Sequence, residues 1–200
     1  MHKVIILVGI KHCGKSSQGK LLAKRLECPF FDTDDIIMQM TGKTPRTIYL
    51  ELGSQYFMQA EAEACRFLLD KKITQAVIAT GGGICNNTQA ITLLKKMGKI
   101  VFLEIPEKDA ADRIIREIVY KNGKMTELPA YIAKENPQTE EDVRRIFSAF
   151  YKKRTALYKQ IADATCFIDS SPKNVNAEKI WATTKKLITV ATTSTASTTT

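Results

Sequence analysis

The sequence predicts a single α/β domain in which a parallel sheet of five strands carries helices on both faces. Five short runs of β-branched and apolar residues are typical of buried strands. Segments of helical period separate these runs, and right-handed crossovers between parallel strands place the helices on the faces of the sheet. With 44% apolar residues, a chain of 200 residues can bury one core. The predicted strands are residues 3–9, 28–32, 75–80, 99–105 and 165–169.

Three segments depart from this alternation within a predicted domain of residues 1–190 and its tail. Residues 34–70 hold two helices' worth of sequence, divided near TGKTP and at Gly53, and such an excursion can carry a substrate pocket beside the sheet. Residues 121–138 are polar, contain Gly123, Pro129 and Pro137, and lie between strong helices, which predicts a mobile lid. Residues 191–200 are a low-complexity, Thr-rich stretch and are expected to be disordered.

The composition favours an anionic partner and a reducing compartment. The formal net charge is +9, but the basic residues are spread over many helices, so nucleic-acid binding is not expected. The five cysteines form neither a CxxC pair nor a group with histidines, which argues against a disulfide framework and a zinc site. The first apolar run has only seven residues before a glycine-rich turn, too few for a signal-peptide core or a membrane span. We therefore expect a cytoplasmic protein without a membrane partner.

Residues 9–17, GIKHCGKSS, match the phosphate-binding pattern G-x-x-x-x-G-K-S/T. A hydrophobic strand ends at the first glycine and an amphipathic helix follows the second, which is the context that this motif requires. The loop is expected to wrap the phosphates of a nucleotide, while Lys15 reaches the terminal phosphates and the Ser16 hydroxyl binds Mg²⁺. His12 and Cys13 have no visible catalytic partner and are interpreted as loop residues. The predicted nucleotide contacts are Gly9, His12, Cys13, Gly14, Lys15, Ser16 and Ser17.

Three acids follow the second strand in the stretch FFDTDD. Asp32 and Asp34 are two residues apart, so strand geometry would put both on one face, about 7 Å apart, if the strand continued that far. One acid could then serve a metal ion and the other a substrate. Asp35 is predicted to point the opposite way and to favour the dipole of the next helix. The alternative interpretation is that the acids only cap that helix.

Five motifs in this order and spacing resemble the shikimate kinase family, which belongs to the nucleoside monophosphate kinase-like P-loop kinases. They are the phosphate loop, the D-x-D of DTDD, then GSQYFMQAE, GGG and KKRTALYKQIAD, and the resemblance covers about residues 3–190. It implies a P-loop kinase fold and an enzyme that phosphorylates shikimate with ATP and Mg²⁺. The product would be shikimate 3-phosphate, on the route to chorismate and aromatic amino acids, and the resemblance implies a monomer.

The resemblance also implies a role for each matching residue. Asp32 would help to hold Mg²⁺, and Asp34 would act with Lys15 in catalysis by bonding the hydroxyl that receives the phosphate. Arg154 would grip the acceptor's carboxylate and Glu61 would brace the acceptor pocket. Taken alone, Glu61 is a surface acid, the triple glycine a tight turn, and Arg154 part of a solvated helix face. The implied acceptor contacts also include Gly81, Gly82 and Gly83, whose missing Cβ atoms let backbone groups approach a ligand.

Two positions depart from the family pattern. Met58 stands where the family usually has a second carboxylate-binding arginine, and Arg46 is our hypothesised substitute. Leu128 stands where the family usually has a lid arginine, for which Lys124 is the nearest cation in sequence. Arg113 and Arg116 are further candidates for nucleotide contact, and His12 occupies a common glycine position of the loop. These departures leave open a kinase for another small hydroxy acid, or a nucleotide-binding protein without acceptor chemistry.

Overall fold

The fold is a parallel sheet with helices on both faces, which confirms the predicted class. The computed structural model describes residues 3–121 and 123–193. The strands are β1 (Lys3–Val8), β2 (Phe30–Asp32), β3 (Gln75–Ala79), β4 (Lys99–Glu104), β5 (Val119–Lys121), β6 (Lys124–Thr126) and β7 (Ala164–Phe167). Five of them form the central parallel sheet in the order β2-β3-β1-β4-β7, while β5 and β6 form an antiparallel hairpin.

Eight α-helices and one short 3-10 helix, Ile84–Asn86, connect or follow the strands in the described part of the chain. The α-helices are α1 (Lys15–Arg25), α2 (Thr33–Thr41), α3 (Pro45–Asp70), α4 (Thr88–Met97), α5 (Glu107–Arg116), α6 (Ala130–Ala133), α7 (Glu140–Ile161) and α8 (Lys173–Thr193). Helices α1 and α8 pack together on one side of the sheet, while α3 packs on α4 and α5 on α7 on the other. No helix among the described residues is both long and apolar enough to cross a membrane.

The core lies between the central strands and these two helical layers. The apolar residues of β1, β3 and β4 are buried on both faces of the sheet, which explains their continuous apolar runs. The strand order brings the carboxyl ends of β1, β2 and β3 side by side, with Leu7 and Asp32 both in register with Ala79. Residues that follow these three strands therefore meet at one edge of the sheet, where open α/β sheets bind their ligands.

The predicted excursion is formed by α2 and α3. Gly42 ends α2 with φ 69°, and Thr44 caps α3 by accepting a hydrogen bond from the Thr47 N–H. Gly53, with φ 85° and ψ 173°, interrupts α3 at the position where the sequence predicts a division. The excursion thus consists of α2 and the two segments of α3 that Gly53 separates.

The predicted lid, residues 121–138, contains one strand of the β5–β6 hairpin and the short helix α6. That this segment moves stays a prediction. Helix α8 extends to Thr193, so the first three residues of the predicted tail are helical. The remainder of that tail, residues 194–200, lies outside the described residues.

Candidate active site

The phosphate loop is shaped by glycines and folds around the Lys15 ammonium. Gly14 has φ 99°, a conformation that L side chains rarely adopt. A Cβ atom on Gly9 would lie 2.8 Å from the Sγ of Cys13, so the loop closes only because Gly9 lacks one. The Lys15 ammonium donates hydrogen bonds of 2.9 Å to the carbonyl oxygens of Gly9 and Ile10. Because α1 begins at Lys15, its free N–H groups face this loop and favour an anion there.

Tyr158 of α7 holds the start of the loop in place. Its ring is fully buried and stacks on Phe102 with 5.1 Å between centroids. Its hydroxyl donates a hydrogen bond of 3.1 Å to the Gly9 carbonyl oxygen. Tyr158 belongs to the segment KKRTALYKQIAD, which resembles the family pattern. No local sequence pattern predicts its contact with Gly9, because the two residues are 149 positions apart in the chain.

His12 forms the outer rim of the loop. Its φ of 63° explains why glycine suits this position in the family pattern. Its Nδ1 lies 3.1 Å from an oxygen of Glu117, while burial lowers the pKa of His12 to about 4. The ring is therefore neutral at pH 7, and the contact is a hydrogen bond rather than an ion pair. Arg113 donates to the carbonyl oxygens of His12 at 2.9 Å and of Asp169 at 3.3 Å, so it lies beside the loop.

Ser16 and Asp32 form the candidate magnesium site. The Ser16 hydroxyl donates a hydrogen bond of 2.6 Å to Oδ2 of Asp32. These two groups could hold one Mg²⁺, an ion that takes few protein ligands beside water and substrate phosphates. Within the described residues, no group of three or more His, Cys, Asp and Glu residues is arranged for a metal ion. A hydroxyl and a carboxylate beside a phosphate loop fit Mg²⁺ bound together with a nucleotide.

The expected strand geometry of the two acids is wrong, because β2 ends at Asp32. Asp32 caps α2 through a hydrogen bond of 3.0 Å from the Asp34 N–H to its Oδ1. The helix therefore begins at Thr33, and the turn into it brings Asp34 to the pocket. Capping and metal binding are compatible, since Oδ1 of Asp32 takes the first role and Oδ2 faces Ser16. Asp35 is exposed in the first turn of α2, as predicted.

Asp34 and Glu61 approach each other across Gly81. A Cβ atom on this glycine would lie 3.0 Å from Oδ1 of Asp34 and 3.1 Å from Oε1 of Glu61. Both oxygen atoms are buried and have no hydrogen-bond partner among the described residues. Burial first, and then the charge of Asp32, raise the pKa of Asp34 to about 6. Burial likewise raises the pKa of Glu61 to about 7, against the lowering effect of a hydrogen bond of 3.2 Å from Asn87.

Arg154 of α7 closes the opposite side of this pocket. Its guanidinium lies 4.4 Å from the ring centroid of Tyr131 and 5.4 Å from that of Phe150, and it donates a hydrogen bond of 3.2 Å to the Gly82 carbonyl oxygen. Its Nε atom is buried without a partner among the described residues. The pocket is a cavity of about 200 Å³, which we call the acceptor cavity. Its lining includes Lys11, Asp34, Arg46, Gly81, Gly82, Gly83, Tyr131 and Arg154.

The family model and the curated relatives described here agree on one family. The family model described as shikimate kinase matches residues 11–185. The chain belongs to the shikimate kinase family. The shikimate kinase of Thermodesulfovibrio yellowstonii is 33% identical over 181 residues, which cover 89% of this chain and 92% of that protein. The shikimate kinase of Clostridium botulinum strain Eklund 17B is 38% identical over 126 residues, covering 62% and 74%. The shikimate kinase from Acinetobacter baumannii, solved in complex with shikimate, has a TM-score of 0.72 and 27% identity, covering 90% and 92%.

The two departures from the shikimate kinase pattern have different surroundings. Met58 is partly exposed and lines a second cavity of about 350 Å³, which adjoins the acceptor cavity at Arg154 and also contains Glu61. Arg46, the hypothesised substitute, lines the acceptor cavity itself and lies 3.7 Å from Glu127 of the lid segment. Its position is compatible with the substitution that the sequence predicts.

Leu128 occupies the position of the lid arginine in this member of the shikimate kinase family, and it brings no charge to the site. Leu128 is 4% exposed and packs into the core. Lys124 is exposed at the start of β6. Arg116 donates to a carbonyl oxygen of its own helix, that of Asp112, at 3.1 Å. Arg113, at the phosphate loop, is the nearer of the two predicted arginines to the nucleotide site.

The sequence predicts no role in the site for two residues that the structure places there, Lys11 and Asn87. Lys11 lines both the acceptor cavity and a cavity of about 220 Å³ at the phosphate loop, which we call the phosphate cavity. Asn87, which caps α4, donates to Oε2 of Glu61 and, at 2.7 Å, to the Met58 carbonyl oxygen, so it ties this part of α3 to the start of α4. The position of Lys11 inside the phosphate-binding pattern could have drawn attention to it, whereas Asn87 has no comparable signal.

Proposed function

We propose that this chain is an ATP-dependent shikimate kinase, which forms shikimate 3-phosphate on the route to chorismate and aromatic amino acids. The position of Asp34 is the observation that carries this proposal. Its carboxylate lines both the phosphate cavity and the acceptor cavity, so it would lie between a nucleotide and an acceptor bound there. A carboxylate at that junction can contact the hydroxyl that receives the phosphoryl group.

The phosphate loop would hold the nucleotide. Its N–H groups and the N-terminus of α1 would bind the phosphates of ATP, and the Lys15 ammonium would exchange its carbonyl contacts for phosphate oxygens. Ser16 and Asp32 would hold Mg²⁺, which supplies charge neutralisation on the phosphates when bound. The remaining loop residues, including Cys13 and Ser17, would contribute backbone contacts.

Asp34 would orient the acceptor and take its proton. The hydroxyl oxygen attacks the γ-phosphorus, the bond to the oxygen bridging the β- and γ-phosphates breaks, and the hydroxyl proton passes to the Asp34 carboxylate. A pKa of about 6 leaves this group ionised at neutral pH and makes it a better proton acceptor than an ordinary aspartate. Glu61, beside it across Gly81, would accept a hydrogen bond from another ring hydroxyl.

Two arginines would bind the carboxylate of shikimate. Arg154 is positioned by the two aromatic rings and by Gly82, and its unpartnered Nε leaves one donor for a ligand. Arg46 would supply the second cation in place of the position that Met58 occupies. A charge-assisted hydrogen bond contributes about 1.5–3 kcal/mol, so Arg46→Ala should raise the KM for shikimate about tenfold to a hundredfold. An unchanged KM, equal to that of the exposed control Arg66→Ala, would rule out this role.

Measuring ADP release with Mg-ATP tests the proposed function. Shikimate, quinate, gluconate and no acceptor are compared, and Asp34→Asn is run beside the wild-type chain. We expect that shikimate alone accelerates ADP release and that the variant lowers kcat about 10²- to 10⁴-fold while still binding ATP. Acceleration by another acid alone would favour the second candidate, a kinase for another small hydroxy acid, which the altered position Met58 supports. Binding of ATP without acceleration by any acceptor would refute both kinase assignments.

The expected cellular setting and oligomeric state belong to the same proposal. We propose a cytoplasmic monomer. All five cysteines are free thiols, which suits a reducing compartment. Size-exclusion chromatography coupled to light scattering measures the mass in solution, and a value of twice 22.4 kDa would contradict the monomer.

A further inference from the structure

Lys11 is the cation at the junction of the two cavities. The acceptor cavity and the phosphate cavity share Lys11, Asp34 and Gly82 in their linings. Asp34 is an acid and Gly82 has no side chain, so Lys11 is the one cation among these three shared residues. A phosphoryl group that passes from ATP to an acceptor must cross the same place.

The backbone of Lys11 is fixed against the triple glycine. A Cβ atom on Gly82 would lie 2.6 Å from the Lys11 nitrogen and 3.0 Å from its Cα, so the two loops are in close contact. The next residue, His12, is tied to α5 through Arg113. The lysine side chain therefore starts from a defined point between the nucleotide loop and the acceptor loop.

The Lys11 ammonium is available for a ligand. Within residues 3–121 and 123–193, it takes part in none of the ion pairs. The side chain is exposed overall, yet partial burial of the ammonium and the nearby Arg46 charge lower the pKa of Lys11. The carboxylates that face it are those of Asp34, Glu117 and Glu127. Two cations near each other at a cavity are compatible with a strongly anionic ligand.

The reaction needs positive charge on the acceptor side of the phosphoryl group. P-loop kinases stabilise the charge on the transferred group with cations around it, and removal of such a cation costs orders of magnitude in rate. Lys15 approaches from inside the loop, where it now contacts Gly9 and Ile10. On the lid side, Leu128 is buried and apolar. The chain thus has a cation at the junction and none at the lid position that its family usually uses.

We propose that Lys11 is a catalytic residue whose ammonium contacts the transferring phosphoryl group from the acceptor side. It neutralises negative charge on the phosphoryl oxygens while Asp34 holds the attacking hydroxyl. Lys11 thereby has the role that a lid arginine usually has in this family. This assignment rests on the proposed function, since it requires that a phosphoryl group crosses from ATP to an acceptor in these two cavities.

The test compares Lys11→Met with Lys11→Arg, and with Lys24→Met as a matched control on the exposed side of α1. We expect Lys11→Met to lower kcat about 10²- to 10³-fold, with the KM values for ATP and shikimate within about threefold of wild type. Lys11→Arg should recover part of kcat, and Lys24→Met should match wild type. Binding of ADP with aluminium fluoride and shikimate, a mimic of the transferred group, should weaken in Lys11→Met, whereas binding of ADP alone should not.

The outcomes separate this assignment from the proposed function. A wild-type chain that phosphorylates no acceptor refutes the proposed function and the role of Lys11 together. An active wild-type chain whose Lys11→Met variant keeps its kcat and its affinity for the aluminium fluoride complex refutes the role of Lys11 alone. The same conclusion follows if Lys124→Met, and not Lys11→Met, lowers kcat, because the lid lysine would then supply the charge.

Discussion

Replacing Glu61 with glutamine should stabilise the fold at alkaline pH, although it removes a group of the acceptor pocket. Glu61 is 1% exposed, and one of its oxygens has no partner among the described residues. Burial raises its pKa from 4.5 to about 7. The native state therefore holds a proton that the unfolded state releases between these two values. The free energy of unfolding is largest below pH 4.5 and decreases as the pH rises through about 7.

The size of this decrease in the free energy of unfolding follows from the shift in the pKa of Glu61. A rise from 4.5 to about 7, at about 1.4 kcal/mol per pH unit, corresponds to about 3 kcal/mol between acid and alkaline pH. Glutamine has no charge to bury, so the variant should lack this decrease. Its side-chain oxygen can still accept the hydrogen bond from Asn87. With an m value of about 2 kcal/mol/M, the urea midpoint of Glu61→Gln should exceed that of wild type by roughly 1.5 M at pH 8.

Urea unfolding at pH 5, 6, 7 and 8 measures this difference. Glu63→Gln is the control, because Glu63 is exposed on the same helix and pairs only with Gln59, at 3.0 Å, among the described residues. The control should follow the wild-type curve, whereas Glu61→Gln should have a flatter pH dependence. If the free energy of unfolding decreased equally with pH in wild type and in Glu61→Gln between pH 5 and pH 8, the pKa of Glu61 would not be raised in the folded state, which would refute this prediction.

Three further predictions concern the same edge of the sheet. The kcat for shikimate should fall as the pH drops below about 6, because protonated Asp34 cannot accept the hydroxyl proton, and a pH–rate profile without this limb would contradict its role. Gly82→Ala should lower kcat at least tenfold in the same assay, because its Cβ would lie 2.6 Å from the Lys11 nitrogen; a kcat equal to wild type would show that the two loops separate without cost. Tyr158→Phe removes the hydrogen bond to the Gly9 carbonyl oxygen and should lower the free energy of unfolding by about 1 kcal/mol, with weaker ATP binding measured by calorimetry; unchanged values of both would show that Lys15 alone holds the loop.

Local patterns in the sequence predict much of the fold. The five apolar runs correspond to the five strands of the sheet within a few residues. The runs of β1, β3 and β4 are continuous because these strands are covered on both faces, whereas β2 and β7 at the edges of the sheet are only partly buried. The phosphate loop is predictable for a similar reason, since glycines at fixed spacing are needed where the backbone turns tightly. Gly53 marks the break in α3 because few other residues adopt its φ of 85°.

The details of the site depend on contacts between distant parts of the chain. The period-two geometry fails because Asp32 is a strong N-cap residue, so that the helix begins at Thr33 and the strand does not continue to Asp34. The tie between Tyr158 and Gly9, and the approach of Lys11 to Gly82, each join residues on different elements. Family resemblance names Asp34 and Arg154, but only the packed structure brings them to one cavity.

Helix α7 contacts both loops of the site with one face. Tyr158 and Arg154 are one helical turn apart, and they reach the Gly9 carbonyl of the nucleotide loop and the Gly82 carbonyl of the acceptor loop. A tilt of this helix would move both contacts. Binding of a substrate in one pocket should therefore change the affinity of the other pocket for its substrate. Thermodynamic linkage requires that the two substrates alter each other's binding by the same factor. The potency of an inhibitor that competes with one substrate would therefore depend on the concentration of the other.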